Sequence, residues 1–123
     1  MNNKILIIDD DLQILSLLEM NFIENGFTTM AISAAALVMP SILAFSPKVI
    51  LMDIRLDDGD GRLICDELKA DSRTQHIPII LLTGLSYTQI SELECLADAI
   101  IGKPFDIQHL LQTVQQISNR ADL

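Results

Sequence analysis

The sequence predicts an α/β fold: a five-stranded parallel sheet with helices on both faces. Short continuous apolar runs recur at residues 4–8, 27–32, 49–52, 77–82 and 99–101, and longer stretches with helical spacing separate them. Continuous rather than alternating hydrophobicity is what strands covered on both faces require. At 123 residues the chain has room for one domain built of five βα units.

The first strand, residues 4–8, runs straight into Asp9, Asp10 and Asp11. Leu15, Leu18 and Phe22 then recur on one helical face, with Gly26 as the stop. The second run, 27–32, is weaker. Pro40 interrupts the apolar stretch 34–45 and should kink or shorten the second helix, because it removes a backbone donor and crowds the preceding turn. The third strand ends at Asp53, and residues 57–61 read as a flexible turn into the third helix. The fourth strand follows Pro78 and ends at Thr83. After a fourth helix, the fifth strand leads into Lys103. Asp106 is placed to cap a last helix carrying Ile107, Leu110, Leu111, Val114 and Ile117. The domain is assigned to residues 1–119, with 120–123 as a tail or the start of a linker.

Half of the residues are hydrophobic, 20% are charged and 4% are aromatic, so a compact, soluble domain with an aliphatic core is expected. Eight Lys plus Arg against seventeen Asp plus Glu give 8 − 17 = −9, a charge that repels phosphate backbones and anionic membranes. Direct partners of the nucleic-acid or membrane class are therefore not expected. The longest apolar run falls far short of the roughly 20 residues of a membrane span. Cys65 and Cys95 match no metal-ligand spacing and the N-terminus lacks a secretory pattern, which together point to the cytoplasm.

Open parallel sheets bind ligands beyond the carboxyl ends of their strands, at the switch point between strands one and three in the flavodoxin-like order 2-1-3-4-5. That rule gathers Asp9, Asp10, Asp53, Thr83 and Lys103 onto one rim. Two unit charges about 4 Å apart repel by roughly 4 kcal/mol at an effective dielectric near 20, so the acids call for a cation. A hard divalent ion with oxygen ligands, magnesium above all, suits them.

Several residues have plainer readings. Asp11 reads as a helix N-cap, and His76 and His109 as structural or surface residues. The loop "DDGDG" fails the EF-hand template, since Leu56 or Ile54 would stand where a carboxylate is required. The methionines read as core or edge fillers.

Taken together, "VILMDIRLDDGDG", "PIILLTG" and "AIIGKPF", with the acids after the first strand, resemble the receiver domain of two-component response regulators of the chemotaxis-regulator type. The resemblance covers nearly the whole chain. It implies that Asp53 is the phosphoryl acceptor, assisted by Thr83 and Lys103. Asp9, Asp10, Asp53 and the main-chain carbonyl of Arg55 would hold magnesium, with manganese as the alternative metal. The implied function is a phosphorylation-dependent signalling switch, not an enzyme beyond its own phosphorylation and autodephosphorylation. Its implied partners are a sensor histidine kinase or histidine phosphotransfer protein and a downstream protein target or an output domain. A homodimer through the fourth helix, fifth strand and fifth helix is a further analogy.

The sequence also departs from that family. Ile100 stands where an aromatic residue is common, which puts the usual threonine–aromatic coupling in question. Asp57 replaces a common proline and is expected to loosen its loop. Leu96 stands at a usual glycine, and the segment from Thr83 to Lys103 is about two residues short, so the fourth helix is expected to be short or mobile. These departures keep a second reading open: a constitutive receiver-fold interaction module independent of phosphorylation. A metal-dependent phosphatase lacks its cap here, and a flavin protein its aromatic phosphate-cradling loops.

Overall fold

The structure, a computed structural model, describes residues 3–84 and 95–120. Five strands, β1 (Lys4–Ile8), β2 (Thr28–Ile32), β3 (Val49–Asp53), β4 (Ile79–Thr83) and β5 (Ala99–Gly102), form one sheet. All pairings are parallel and the order is β2-β1-β3-β4-β5, as predicted. The described helices are α1 (Leu12–Glu24), α2 (Val38–Phe45), α3 (Gly61–Ala70) and a C-terminal helix, Ile107–Arg120. The fourth helix, and with it the helix-four part of the expected dimer surface, falls on residues outside the described ones, whereas the fifth strand and last helix of that surface are described.

Alternate residues of each central strand serve opposite cores. Ile5, Ile7, Val49, Leu51, Ile80 and Leu82 pack on one face under α1 and the C-terminal helix, which contribute Leu15, Leu18, Phe22, Leu110, Leu111 and Val114. Leu6, Ile8, Ile50, Met52, Ile79 and Leu81 face the other way, against Val38 and Ile42 of α2 and Cys65 and Leu68 of α3. β3 and β4 are buried throughout, whereas β2 and β5 at the edges are only half covered. Half coverage is why those two runs are the weakest in the sequence.

α1 stops through a Schellman arrangement. Gly26 adopts φ 89°, the Phe27 N–H donates to the Phe22 carbonyl at 2.9 Å, and the Gly26 N–H donates to Ile23 at 3.1 Å. The Phe22 and Phe27 rings meet edge to face with centroids 5.3 Å apart, closing the turn with an apolar contact. Pro40 acts as predicted, by shortening. α2 begins only at Val38, after a 3₁₀ turn at Ala35–Leu37. Pro40 then lies in the first turn, where its missing donor has no intrahelical acceptor to lose.

The last helix is described to Arg120. Residues 57–58 form the turn of a short antiparallel ribbon in which Arg55–Leu56 pairs with Gly59–Asp60, ahead of α3. The ribbon has anchors outside itself, described below.

Phe22 is 1% exposed and joins the C-cap of α1 to the core, so Phe22→Ala should destabilise the fold by about 3–5 kcal/mol in urea unfolding.

Candidate acid pocket at the strand ends

The register of the sheet sets the pocket. Ile8 pairs with Met52, Asp53 with Leu82, and Thr83 with Gly102, so the carboxyl ends of β1, β3, β4 and β5 reach one level. Asp9 follows β1, Asp53 ends β3, Thr83 ends β4, and Lys103 follows β5. The Lys103 N–H extends the ladder to the Thr83 carbonyl at 2.6 Å, and the Lys103–Pro104 peptide is cis.

Asp9 is fully buried. One of its carboxylate oxygens accepts the Asp11 N–H at 2.9 Å and the other accepts Lys103 Nζ at 3.1 Å. The same Nζ donates to Asp53 Oδ2 at 3.1 Å, while Asp53 Oδ1 accepts the Arg55 N–H at 3.4 Å. Lys103 thus bridges two carboxylates. Oxygens of Asp9, Asp10 and Asp53 lie within 4.8 Å of one another. Three carboxylates and one ammonium leave two net negative charges, 3 − 1 = 2, on an all-oxygen donor set. Such a set fits a hard divalent cation.

Burial, with the neighbouring Asp9 charge, raises the Asp53 carboxyl above the usual carboxylate range, against the pull of Lys103. Burial pushes the Lys103 ammonium down, but its hydrogen bonds and charge attraction to Asp9 and Asp53 outweigh this and leave it raised.

Asp11 caps α1, accepting from the Gln13 and Ile14 N–H groups at 3.0 and 3.3 Å, as predicted. His76 and His109 are exposed. Asp106 caps the C-terminal helix by accepting from Gln108 and His109. Cys65 is buried, its thiol pushed up to about 12 by that burial, and both cysteines are free. Ile100 is half-buried against the α2 and α3 core.

The pocket opens into a cleft of about 590 Å³, with Asp10, Asp53, Arg55, Thr83, Gly84 and Lys103 among its lining residues. Among the described residues, a Cβ added at Gly84 would meet nothing within 4 Å.

Sequence reasoning missed three contributors. Asp57 also lines the cleft, and its carboxyl is raised by its contact with Asp10. Gly61 lets α3 start against Asp53: an added Cβ would lie 2.5 Å from the Asp53 carbonyl oxygen. Asp58 ties the loop to the α2 side through Ala35 and Ala36. A glycine in the sequence signals a close approach without saying to what. An acid in "DDGDG" does not reveal a partner 23 residues away.

Residues 5–115 match the family model of the response regulator receiver domain, and the chain belongs to that family. It is a receiver domain of two-component signalling, a class of phosphorylation-linked proteins in which magnesium is typical. The chain is 32% identical over 121 residues to the DNA-binding dual master transcriptional regulator RpaA of Synechocystis sp., covering 97% of this chain and 50% of that protein. It is 32% identical over 120 residues to the transcriptional regulatory protein GltR of Pseudomonas aeruginosa, covering 96% and 50%. The chain thus spans about half the length of these curated relatives. Among solved structures, the signal receiver domain of a signal transduction histidine kinase from Syntrophus aciditrophicus superposes with TM-score 0.87 at 28% identity, covering 95% and 90%. A CheY-like receiver domain protein from Methanospirillum hungatei, at 24% identity, shares the fold with TM-score 0.88 over 99% and 98%. Among the described residues, no helix is long and apolar enough to cross a membrane.

A raised carboxyl holds extra protons in the folded state, so its contribution to stability falls as pH rises through and above the usual carboxylate range. Without metal at pH 7, Asp53→Asn should therefore raise the melting temperature by about 3–5 °C, the scale of roughly 1 kcal/mol in a chain of this size. The gain should shrink as pH drops through the carboxylate range in a thermal-melt series.

Proposed function

We propose that the chain is a phosphoryl-accepting switch in which Asp53 takes a phosphoryl group from a histidine kinase or histidine phosphotransfer protein in a magnesium-dependent reaction. The observation that carries this reading is the Lys103 ammonium held 3.1 Å from both Asp9 and Asp53, at the mouth of an all-oxygen pocket.

An Asp53 carboxylate oxygen attacks phosphorus, the bond from phosphorus to the donor breaks, and the donor atom leaves with the electron pair. The product is an acyl phosphate. Asp9, Asp10, Asp53 and the Arg55 carbonyl would hold the magnesium ion, with manganese as the alternative. Once bound, the metal would neutralise one equatorial oxygen of the transferring group. The Lys103 ammonium is placed to pair with a second oxygen. The Thr83 hydroxyl and the Gly84 N–H serve a third. Gly84 itself brings no side chain to cover the acyl phosphate, which supports its hydrolysis by water in autodephosphorylation.

Signalling then passes by protein contact to a downstream target or an output domain, and the setting is cytoplasmic, in keeping with the free thiols of Cys65 and Cys95. A net charge of −9 opposes direct nucleic-acid contact by these residues.

Intact mass after incubation with acetyl phosphate and magnesium should show one added phosphoryl group on the wild type and none on Asp53→Asn. Absence of uptake by a folded, magnesium-binding wild type would instead favour the constitutive interaction module or a strict demand for its own phosphodonor protein. Millimolar magnesium should raise the melting temperature of the wild type, because a ligand bound only by the folded state stabilises it, and Asp10→Asn should blunt that rise.

A further inference from the structure

The acceptor loop, residues 54–60, is fastened at both ends. At its far end the Gly61 N–H donates to the Ile54 carbonyl at 2.7 Å, and Gly61 packs directly on the Asp53 carbonyl. In its middle, Asp58 Oδ1 accepts the Ala35 N–H at 2.7 Å and Oδ2 accepts the Ala36 N–H at 3.1 Å. Gly59 lies flush against the same turn, since a Cβ there would come within 2.8 Å of the Ala35 Cβ.

The two alanine amides belong to the opening of the 3₁₀ turn Ala35–Leu37 that leads into α2. Ala34, at its N-cap position, supplies no side-chain acceptor. A helical start leaves such donors unpaired unless a side chain caps them. Here the cap arrives from the acceptor loop, and the amides in turn hold the Asp58 carboxyl below its usual range. The loop needs this tie. A two-residue ribbon is marginal by itself, and residues 54–60 contain no proline to stiffen them. Arg55 lies in this ribbon, and its N–H faces Asp53 Oδ1.

We propose that Asp58 is a positioning residue of the acceptor site: by clamping the loop onto the Ala35–Leu37 turn, its carboxylate sets the Arg55 backbone against Asp53 and the cation. The proposal rests on the phosphoryl-acceptor reading above and deepens it. Asp58 does not touch the cation or the phosphoryl group. It acts through the backbone of Arg55, as an outer hydrogen bond orients a metal ligand.

The test measures the magnesium Kd of the full chain by calorimetric titration, alongside the metal-free melting temperature and the rate of acetyl phosphate uptake. Asp58→Ala removes both acceptor oxygens and should raise the magnesium Kd about tenfold. Asp58→Asn loses the same charge but keeps one acceptor oxygen, so it should recover part of the affinity. Gly59→Ala keeps the charge and pushes the clamp open from the other side, and it should weaken magnesium as well. A purely structural role would lower the metal-free melting temperature and leave Kd unchanged. A Kd within twofold of wild type in folded Asp58→Ala, or in folded Gly59→Ala should the former not fold, overturns the proposal. Equal losses in Asp58→Ala and Asp58→Asn, with Gly59→Ala unaffected, would reduce Asp58 to a distant charge and also overturn it. Wild type that binds magnesium but takes up no phosphoryl group, with a tenfold loss in Asp58→Ala, would count against the acceptor reading and keep the positioning role.

Discussion

The architecture around the strand ends depends on one unfavourable interaction, the mutual repulsion of Asp9, Asp10 and Asp53. A buried carboxylate is costly unless charge and hydrogen bonds compensate it. Asp9 has no exposed surface, and it is tolerated because an Asp11 amide and the Lys103 ammonium each satisfy one of its oxygens. Lys103 cannot neutralise all three acids. Two formal negative charges remain beside an open cleft, and that residual charge is the electrostatic basis on which a divalent cation would be held.

The sheet makes this arrangement possible by its stiffness. β1, β3 and β4 lie between two apolar layers, and their register holds the strand ends at one level. Lys103 follows an edge strand, yet its own backbone N–H extends the ladder to Thr83, so its stem starts from a fixed point. The compensating charge is therefore part of the framework. On the other side of the pocket there is only the two-residue ribbon, outside the main sheet, and a different device adds to it. Gly61 permits contact with the Asp53 backbone, and Asp58 reaches across to the turn before α2. Residues 54–60 are held by side-chain capping where the rest of the site is held by the sheet ladder.

Asp57 shows how local substitution is absorbed. From the sequence it stands in for a rigid residue and suggests a loosened loop; in the structure it sits at the turn of the ribbon, beside Asp58 with its hydrogen bonds to the Ala35 and Ala36 amides. Its own carboxyl joins the acids of the cleft instead, in contact with Asp10. Ile100 is a comparable case on the opposite flank. An aliphatic side chain half-buried among the α2 and α3 core residues fills space without the planar, swinging shape of an aromatic ring.

The strand count, the strand order and the residues gathered at the strand ends were legible in the chain. Continuous apolar runs report burial on both faces, and strand-end position then dictates which polar side chains converge. The caps Asp11 and Asp106 and the stop at Gly26 were legible for the same reason: each acts within a few residues of itself. What tertiary structure alone decided are the contacts between distant segments. Lys103 bridges carboxylates 94 and 50 residues away, Asp58 caps a turn 23 residues earlier, and Gly61 leans on Asp53 with no room for a methyl group. Periodicity carries no information about such pairs, because they depend on where the folded sheet places one loop against another.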